Sequence, residues 1–232
     1  MRISLGVTNF YQRDSEIFLR ELDAATHYPD LSWRWKNDIP LLQGKYQFHR
    51  RYKDIEYKDI FELELTFLND YPDSIPIVKE IGGRIPPDFH RNMDGELCLT
   101  TPAELYGIFS KEPTLENYIE NLVDPYLFGW LYYQQFKIMP WGERKHGAKG
   151  LIESYKELLH IEKDANTIVL LRQIAANTIK QRELCPCGSG IPFRKCHKKQ
   201  VQRLLINIPQ KILIQDCLTI IGEKKHETHH YQ

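Results

Sequence analysis

The sequence predicts an α+β fold in which an antiparallel meander is flanked by helices and followed by a helical extension and a small zinc knob. Three observations predict it. Phe61 to Phe67 (FELELTF) puts Phe61, Leu63, Leu65 and Phe67 on one face with period two, the signature of a half-buried strand. Ile17, Phe18, Leu19, Leu22 and Ala25, and later Leu151, Ile152, Tyr155, Leu158 and Leu159, recur at helical spacing. Cys185, Cys187, Cys196 and His197 gather four metal-binding donors in one short segment. A chain of 232 residues that is 42% hydrophobic can bury a core without disulfides.

From the amino terminus, Asp14 or Ser15 caps a first helix that runs to about Thr26 and is ended by Tyr28-Pro29. Leu31 to Ile39, Lys45 to Tyr52 and Phe61 to Phe67 read as three strands of a meander, with Leu42 to Gly44 as a turn. Pro72 and Pro76 remove backbone donors, so the chain then leaves the sheet as a turn or a short edge piece. Gly82-Gly83 and Pro86-Pro87 punctuate a long loop, and Asp94-Gly95 offers a tight turn just before Cys98.

Thr114 caps a helix to about Leu127, with Leu115, Tyr118, Ile119, Leu122 and Val123 on one face. Tyr126 to Trp141 is dense in aromatics and reads as a core or docking helix rather than a ligand box, stopped by Pro140 and Gly142. Gly147 and Gly150 mark a join. Two amphipathic helices follow, one over Leu151 to Leu159 and one carrying Ile168, Leu171, Ile174, Ala175 and Ile179. The apolar tail from Val201 to Gly222 is expected to fold back around Pro209. His226, His229 and His230 fall in an end read as disordered rather than as a metal site.

Lysine plus arginine equal aspartate plus glutamate, 31 against 31, so no global field draws the chain to nucleic acid or an anionic membrane. No stretch approaches the roughly eighteen apolar residues of a membrane span, and the start lacks a signal-peptide core. A cytoplasmic location is the expectation. In a reducing compartment, three cysteines in one cluster read as a metal site before a disulfide framework.

The middle of the chain carries Tyr71-Pro72 with Pro76 and Val78, then His90-Arg91-Asn92, then Gly95-Glu96-Leu97-Cys98-Leu99. In order and approximate spacing this resembles the ubiquitin-conjugating enzymes, with their YPxxPP-type turn, HPN tripeptide and G-x-[IL]-C-L segment. Arg91 stands where the family has proline and Ile75 replaces the first proline of the usual pair. No Trp-Ser-Pro follows the cysteine, and the resemblance points to a divergent bacterial member. It implies that Cys98 accepts an acyl group from an activating enzyme as a thioester and passes it to an amine. Asn92 would stabilise the oxyanion or hold the loop, and His90 would be structural. The implied partner is a protein with a C-terminal glycine: a ubiquitin-like protein or, in CBASS antiphage operons, a nucleotidyltransferase. On chemistry alone, Cys98 also reads as a small buried hydrophobe, Asn92 as a turn residue and Arg91 as a solvated surface group.

Cys185, Cys187, Cys196 and His197 suit a closed tetrahedral zinc site of structural type, with Gly188 and Gly190 letting the backbone wrap the ion. The CxC pattern followed by CH resembles the SEC-C metal-binding motif of many otherwise unrelated bacterial proteins. Lys180, Arg182, Arg194, Lys195, Lys198, Lys199 and Arg203 surround it, a cationic face that could meet acidic protein or nucleic acid but reads equally as a solvated surface. The expected organisation is therefore a ubiquitin-conjugating-like domain over 1–145, a helical connector over 146–183, the zinc motif over 184–200 and the returning tail over 201–232. Two other functions stay open. One is an inactive module that binds a ubiquitin-like tail, and the other is a zinc-knob adaptor for protein or nucleic acid.

Overall fold

The computed structural model describes residues 9–142 and 145–229, with side chains as far as Gly222. In chain order it begins with α1 (Phe10–Arg13), α2 (Ser15–Ala25), β1 (Leu31–Lys36), β2 (Ile39–Tyr52), β3 (Ile55–Thr66) and β4 (Ile77–Glu80). There follow α3 (Pro102–Phe109), α4 (Leu115–Tyr118), α5 (Asp124–Phe136), α6 (Gly147–Leu159), α7 (Asp164–Ala175), α8 (Lys198–Asn207) and α9 (Gln210–His229). This mixed α+β chain divides into two compact units. The first holds the described residues up to Leu99 together with Glu112–Gly142, and the second holds Thr100–Lys111 with the described residues from Lys145 onward.

The first unit is built on a four-stranded antiparallel sheet in the order β1-β2-β3-β4. Asn37 and Asp38, with φ of 50° and 61°, close β1 onto β2, and Lys53 and Asp54, with φ of 46° and 63°, close β2 onto β3. Paired left-handed residues make the turn whose twist matches its strands. The turn expected at Leu42 to Gly44 is thereby corrected, since those residues lie inside β2 opposite Trp33, Ser32 and Leu31. Gly44 answers a close approach instead, because a Cβ there would sit 2.1 Å from the Asp30 carbonyl oxygen. The alternation in β3 is realised, with Phe61, Leu63, Leu65 and the following Phe67 all 0% exposed. Each such side chain contributes roughly 2 kcal/mol of burial. The expected edge piece is β4, which pairs with β3 from Ile77–Thr66 to Glu80–Leu63.

Asp14 caps α2, its Oδ1 accepting from the amides of Glu16 and Ile17 at 3.1 and 3.2 Å. Glu21 on the same helix is fully buried. Its carboxylate accepts from the Tyr71 hydroxyl at 2.9 Å, from Arg20, and from the Leu115 amide at 2.9 Å, tying α2 to the turn after β3 and to the start of α4.

Where the sequence reads two overlapping helices, α4, a π turn over Ile119–Val123 and α5 make one helical run. Thr114 caps it, accepting from the Asn117 amide at 3.1 Å. Pro125 accounts for the π turn. The Asp124 amide reaches back to the Ile119 carbonyl, Pro125 has no N–H for the next one, and the Glu120 carbonyl accepts from Arg50 Nη2 at 3.2 Å instead. The run ends at Phe136 through a left-handed Lys137, short of the Pro140 expected to stop it. Tyr126, Phe128 and Trp130 are buried, while Phe136 and Trp141 are exposed.

In the second unit α6, α7 and α9 pack on one another, α3 packs against α6, α8 and α9, and α8 also packs against α6. The tail folds back around Pro209, where α8 and α9 meet at a 109° bend, and Val201, Leu204, Leu213, Cys217 and Ile220 are buried. The backbone of α9 is helical through His229, and His230 lies outside the described residues. Among the described residues no single helix is long and apolar enough to cross a membrane.

Asp216 on α9 is buried and accepts from the Tyr155 hydroxyl at 2.9 Å. Burial lifts its carboxyl to about 6, although the Tyr155 hydrogen bond pulls the other way. An unfolded aspartate titrates near ~3.9. The folded chain therefore binds this proton more tightly, so the group's contribution to stability falls as pH rises from about 4 to 6 and is flat above that. Asp216→Asn is expected to stabilise the chain by about 1–3 kcal/mol near neutral pH and hardly at all near pH ~4, as read by urea unfolding at both.

Candidate functional site

The loop between β4 and Cys98 is held by buried polar groups rather than by secondary structure. Glu80, 1% exposed, accepts the amides of Gly82 and Arg84 at 2.9 Å and of Ile85 at 3.2 Å. Three N–H groups on one carboxylate fix the corner after β4 and seat the buried Ile85. The Tyr126 hydroxyl, from α5, reaches the carbonyls of Phe89 and His90 at 2.9 and 3.2 Å. Arg91 is expected in solvent, but its Nη1 donates to the Ile85 carbonyl at 2.7 Å, so it clamps the loop instead.

Cys98 stands at the end of this path on a backbone fixed on both sides. The Cys98 amide donates to the His90 carbonyl at 2.8 Å, and the neighbouring Leu97 amide donates to Val78 of β4 at 2.9 Å. His90 takes a left-handed φ of 42°, and its ring packs edge-on against Phe89 at 5.0 Å. Asn92 closes a turn with Glu96. Its Oδ1 accepts the Glu96 amide at 2.9 Å, and its Nδ2 donates to the Glu96 carboxylate at 2.7 Å. The three residues picked from the sequence are thus brought onto one loop, with Cys98 exposed. Sequence reasoning missed Glu80, Glu96 and Tyr126, whose roles depend on the folded loop.

Partial burial first, and the Glu96 carboxylate second, hold the Cys98 thiol above the ordinary cysteine range. Less thiolate is present near neutral pH than for an unperturbed cysteine, and the fraction grows as pH rises. Alkylation of Cys98 is expected to speed up about tenfold per unit between roughly pH 7 and 8.5, and Glu96→Gln to add about a twofold gain. Mass spectrometry of the modified Cys98 peptide over time reads both.

The second cluster is a candidate metal centre. The Cys185 amide donates to the Ile191 carbonyl at 2.8 Å and the Gly188 amide returns to the Cys185 carbonyl at 3.1 Å, folding the CxC arm into a tight hook. Gly188 has φ of 82°, and a Cβ there would come within 2.9 Å of Asn166 Nδ2. Asn166, on α7, donates that amide to the Cys187 carbonyl at 2.6 Å. A short turn at Phe193–Lys195, anchored by the buried Phe193, returns the chain to Cys196 and His197 just before α8.

The donor atoms of Cys185, Cys187, Cys196 and His197 all lie within 4.8 Å of one another. Cys187 Sγ and Cys196 Sγ are 3.5 Å apart, and His197 Nδ1 is 3.3 Å from Cys185 Sγ and 3.1 Å from Cys196 Sγ. Zinc bonds of about 2.3 Å to sulfur and 2.0 Å to nitrogen give tetrahedral edges of roughly 3.5–3.8 Å, so three thiols and one imidazole at these separations fit that ion. A disulfide would need about 2.05 Å, and all five cysteines are free. Ser189 Oγ lies 3.3 Å from Cys196 Sγ, where its hydroxyl can donate to a thiolate. Residues 182–199 match the SEC-C motif. No curated protein and no solved structure matches the chain. The SEC-C motif carries the donor set of a structural zinc site, in which bound zinc would hold the hook, the short turn and the start of α8 together. Ser189 lies inside the motif and could be suspected from it; Asn166, well upstream, could not.

Proposed function

We propose that this chain is a ubiquitin-conjugating-like acyl carrier. The observation that carries the reading is an exposed cysteine at the end of a firmly pinned loop that leaves an antiparallel meander, with a helix before the sheet and a helical run after Cys98. In this reading Cys98 Sγ exchanges with an activating enzyme's thioester. A bond forms from Sγ to the carbonyl carbon of the donor's terminal glycine, and the activating enzyme's thiol leaves. An amine then attacks that carbonyl and Cys98 departs as thiolate. Asn92 would meet the oxyanion with its Nδ2 after releasing Glu96, and His90 would act through its backbone by holding Cys98 in place. The donor would be a ubiquitin-like protein or a CBASS nucleotidyltransferase, in antiphage defence, with the SEC-C knob as a zinc-stabilised contact.

One observation favours a second reading. With the Asn92 amide engaged by Glu96 and the thiol held above its usual range, the same loop suits a module that binds a ubiquitin-like tail without chemistry. A small glycine thioester separates the two. A carrier exchanges with it at Cys98 and transfers the acyl group to an added amine, whereas a binding module leaves the thioester intact beyond the buffer rate.

A further inference from the structure

The Cys98 reading makes no use of a cleft of about 360 Å³ in the first unit, at the end of β2 beside the π turn. Arg50, Arg51, Tyr52, Glu120, Phe128 and Trp141 are among its lining residues. We propose that this cleft binds the C-terminal carboxylate of a peptide ending in an aromatic residue.

The guanidinium of Arg50 is held in place with one nitrogen to spare. Its Nε and Nη2 donate to Asp124 Oδ2 at 2.9 and 2.6 Å, and Nη2 also reaches the Glu120 carbonyl left open by Pro125. Asp124 is 6% exposed and is fixed from its other oxygen by the Tyr46 hydroxyl at 2.5 Å. No partner among the described residues meets Nη1, which leaves its two N–H groups free to make a charge-assisted hydrogen bond to one carboxylate oxygen. Among the described residues the adjacent Arg51 meets only Asp54, at 3.4 Å between side chains 67% and 96% exposed, a pairing too weak to withhold it from a ligand.

An aromatic wall completes the cleft. Phe128 lies 5.1 Å from Tyr52 and 5.9 Å from Trp141, and Trp141 is 55% exposed. The volume suits one aromatic side chain and its terminal carboxylate, and stacking on Trp141 supplies apolar contact. The charges of Arg50 and Arg51 balance those of Glu120 and Asp124. The cleft therefore carries no net positive charge, and a ligand with one negative charge meets less repulsion from the Glu120 carboxylate than a phosphate dianion does. The π turn thus has a consequence at the surface, because the carbonyl it frees is part of what holds Arg50 in place.

Fluorescence anisotropy with an amino-terminally labelled hexapeptide ending in phenylalanine tests this on the full chain. The free acid is expected to bind, and its C-terminal amide at least about tenfold more weakly. Trp141→Ala and Arg51→Gln should each weaken the acid by about fivefold or more; the exposed Arg51 is replaced without moving the melting temperature, and circular dichroism establishes that the Trp141 variant, which loses contacts to Phe128, keeps its fold. The proposal is overturned if the amide binds as well as the acid, if Trp141→Ala changes nothing, or if no binding occurs up to about 1 mM. Equal binding of an amidated peptide whose only carboxylate is an internal aspartate, or tighter binding of adenosine monophosphate, would overturn it too.

Discussion

Replacing Cys185 or Cys196 by serine is expected to abolish stoichiometric zinc and to unfold the SEC-C hook, lowering the stability of the second unit by at least ~3 kcal/mol. The reason is the scarcity of other support. Within residues 182–199 only Cys185, Phe193 and His197 are buried, so the segment has almost no apolar core, and the ordering of its backbone must be offset by metal–ligand bonds. Chelation of the wild-type chain should reproduce the effect and added zinc should reverse it. Ser189→Ala is expected to keep the metal with weaker affinity, by about tenfold, because its hydroxyl orients a sulfur without binding the ion. Metal analysis with thermal unfolding, with and without chelator, reads all three.

Glu21→Ala is expected to be the most damaging single change in the first unit, at about 3–5 kcal/mol. Its removal takes away the buried carboxylate that accepts from the Tyr71 hydroxyl, the Leu115 amide and Arg20, leaving Arg20 the Pro113 carbonyl at 2.7 Å. Glu21→Gln retains one acceptor oxygen and should cost about half as much. Denaturant unfolding of both variants, with far-ultraviolet circular dichroism to establish that the sheet persists, gives the comparison.

These two cases also show which parts of the molecule the sequence could disclose. The metal ligands were legible because they lie in one short segment with a fixed spacing, and β3 was legible because one face of it is wholly buried. The first hairpin was misplaced because Gly44 looks like a turn residue locally, whereas its role is to admit the Asp30 carbonyl from a neighbouring part of the chain. The π turn escaped notice because Leu115, Tyr118, Ile119, Leu122 and Val123 make a good helical stripe despite Pro125. Nothing in the local sequence marks Glu21, Glu80 or Asp124 as buried. Only folding brings Tyr71 to the first, the backbone of the following loop to the second, and Tyr46 and Arg50 to the third. The same limit applies at Cys98: its place at the end of a loop could be read from spacing, but the Glu96–Asn92 turn and the Tyr126 hydroxyl that fix the loop could not.

The most direct test of the acyl-carrier proposal is the intact mass of the chain after incubation with an activated glycine-ended partner, compared across wild type, Cys98→Ala and Cys98→Ser. The account predicts an adduct on the wild-type chain that thiol reducing agents release, no adduct with alanine, and a thiol-resistant ester with serine. A wild-type chain that stays unmodified beside a partner able to charge another carrier would contradict it and leave the loop as a binding surface.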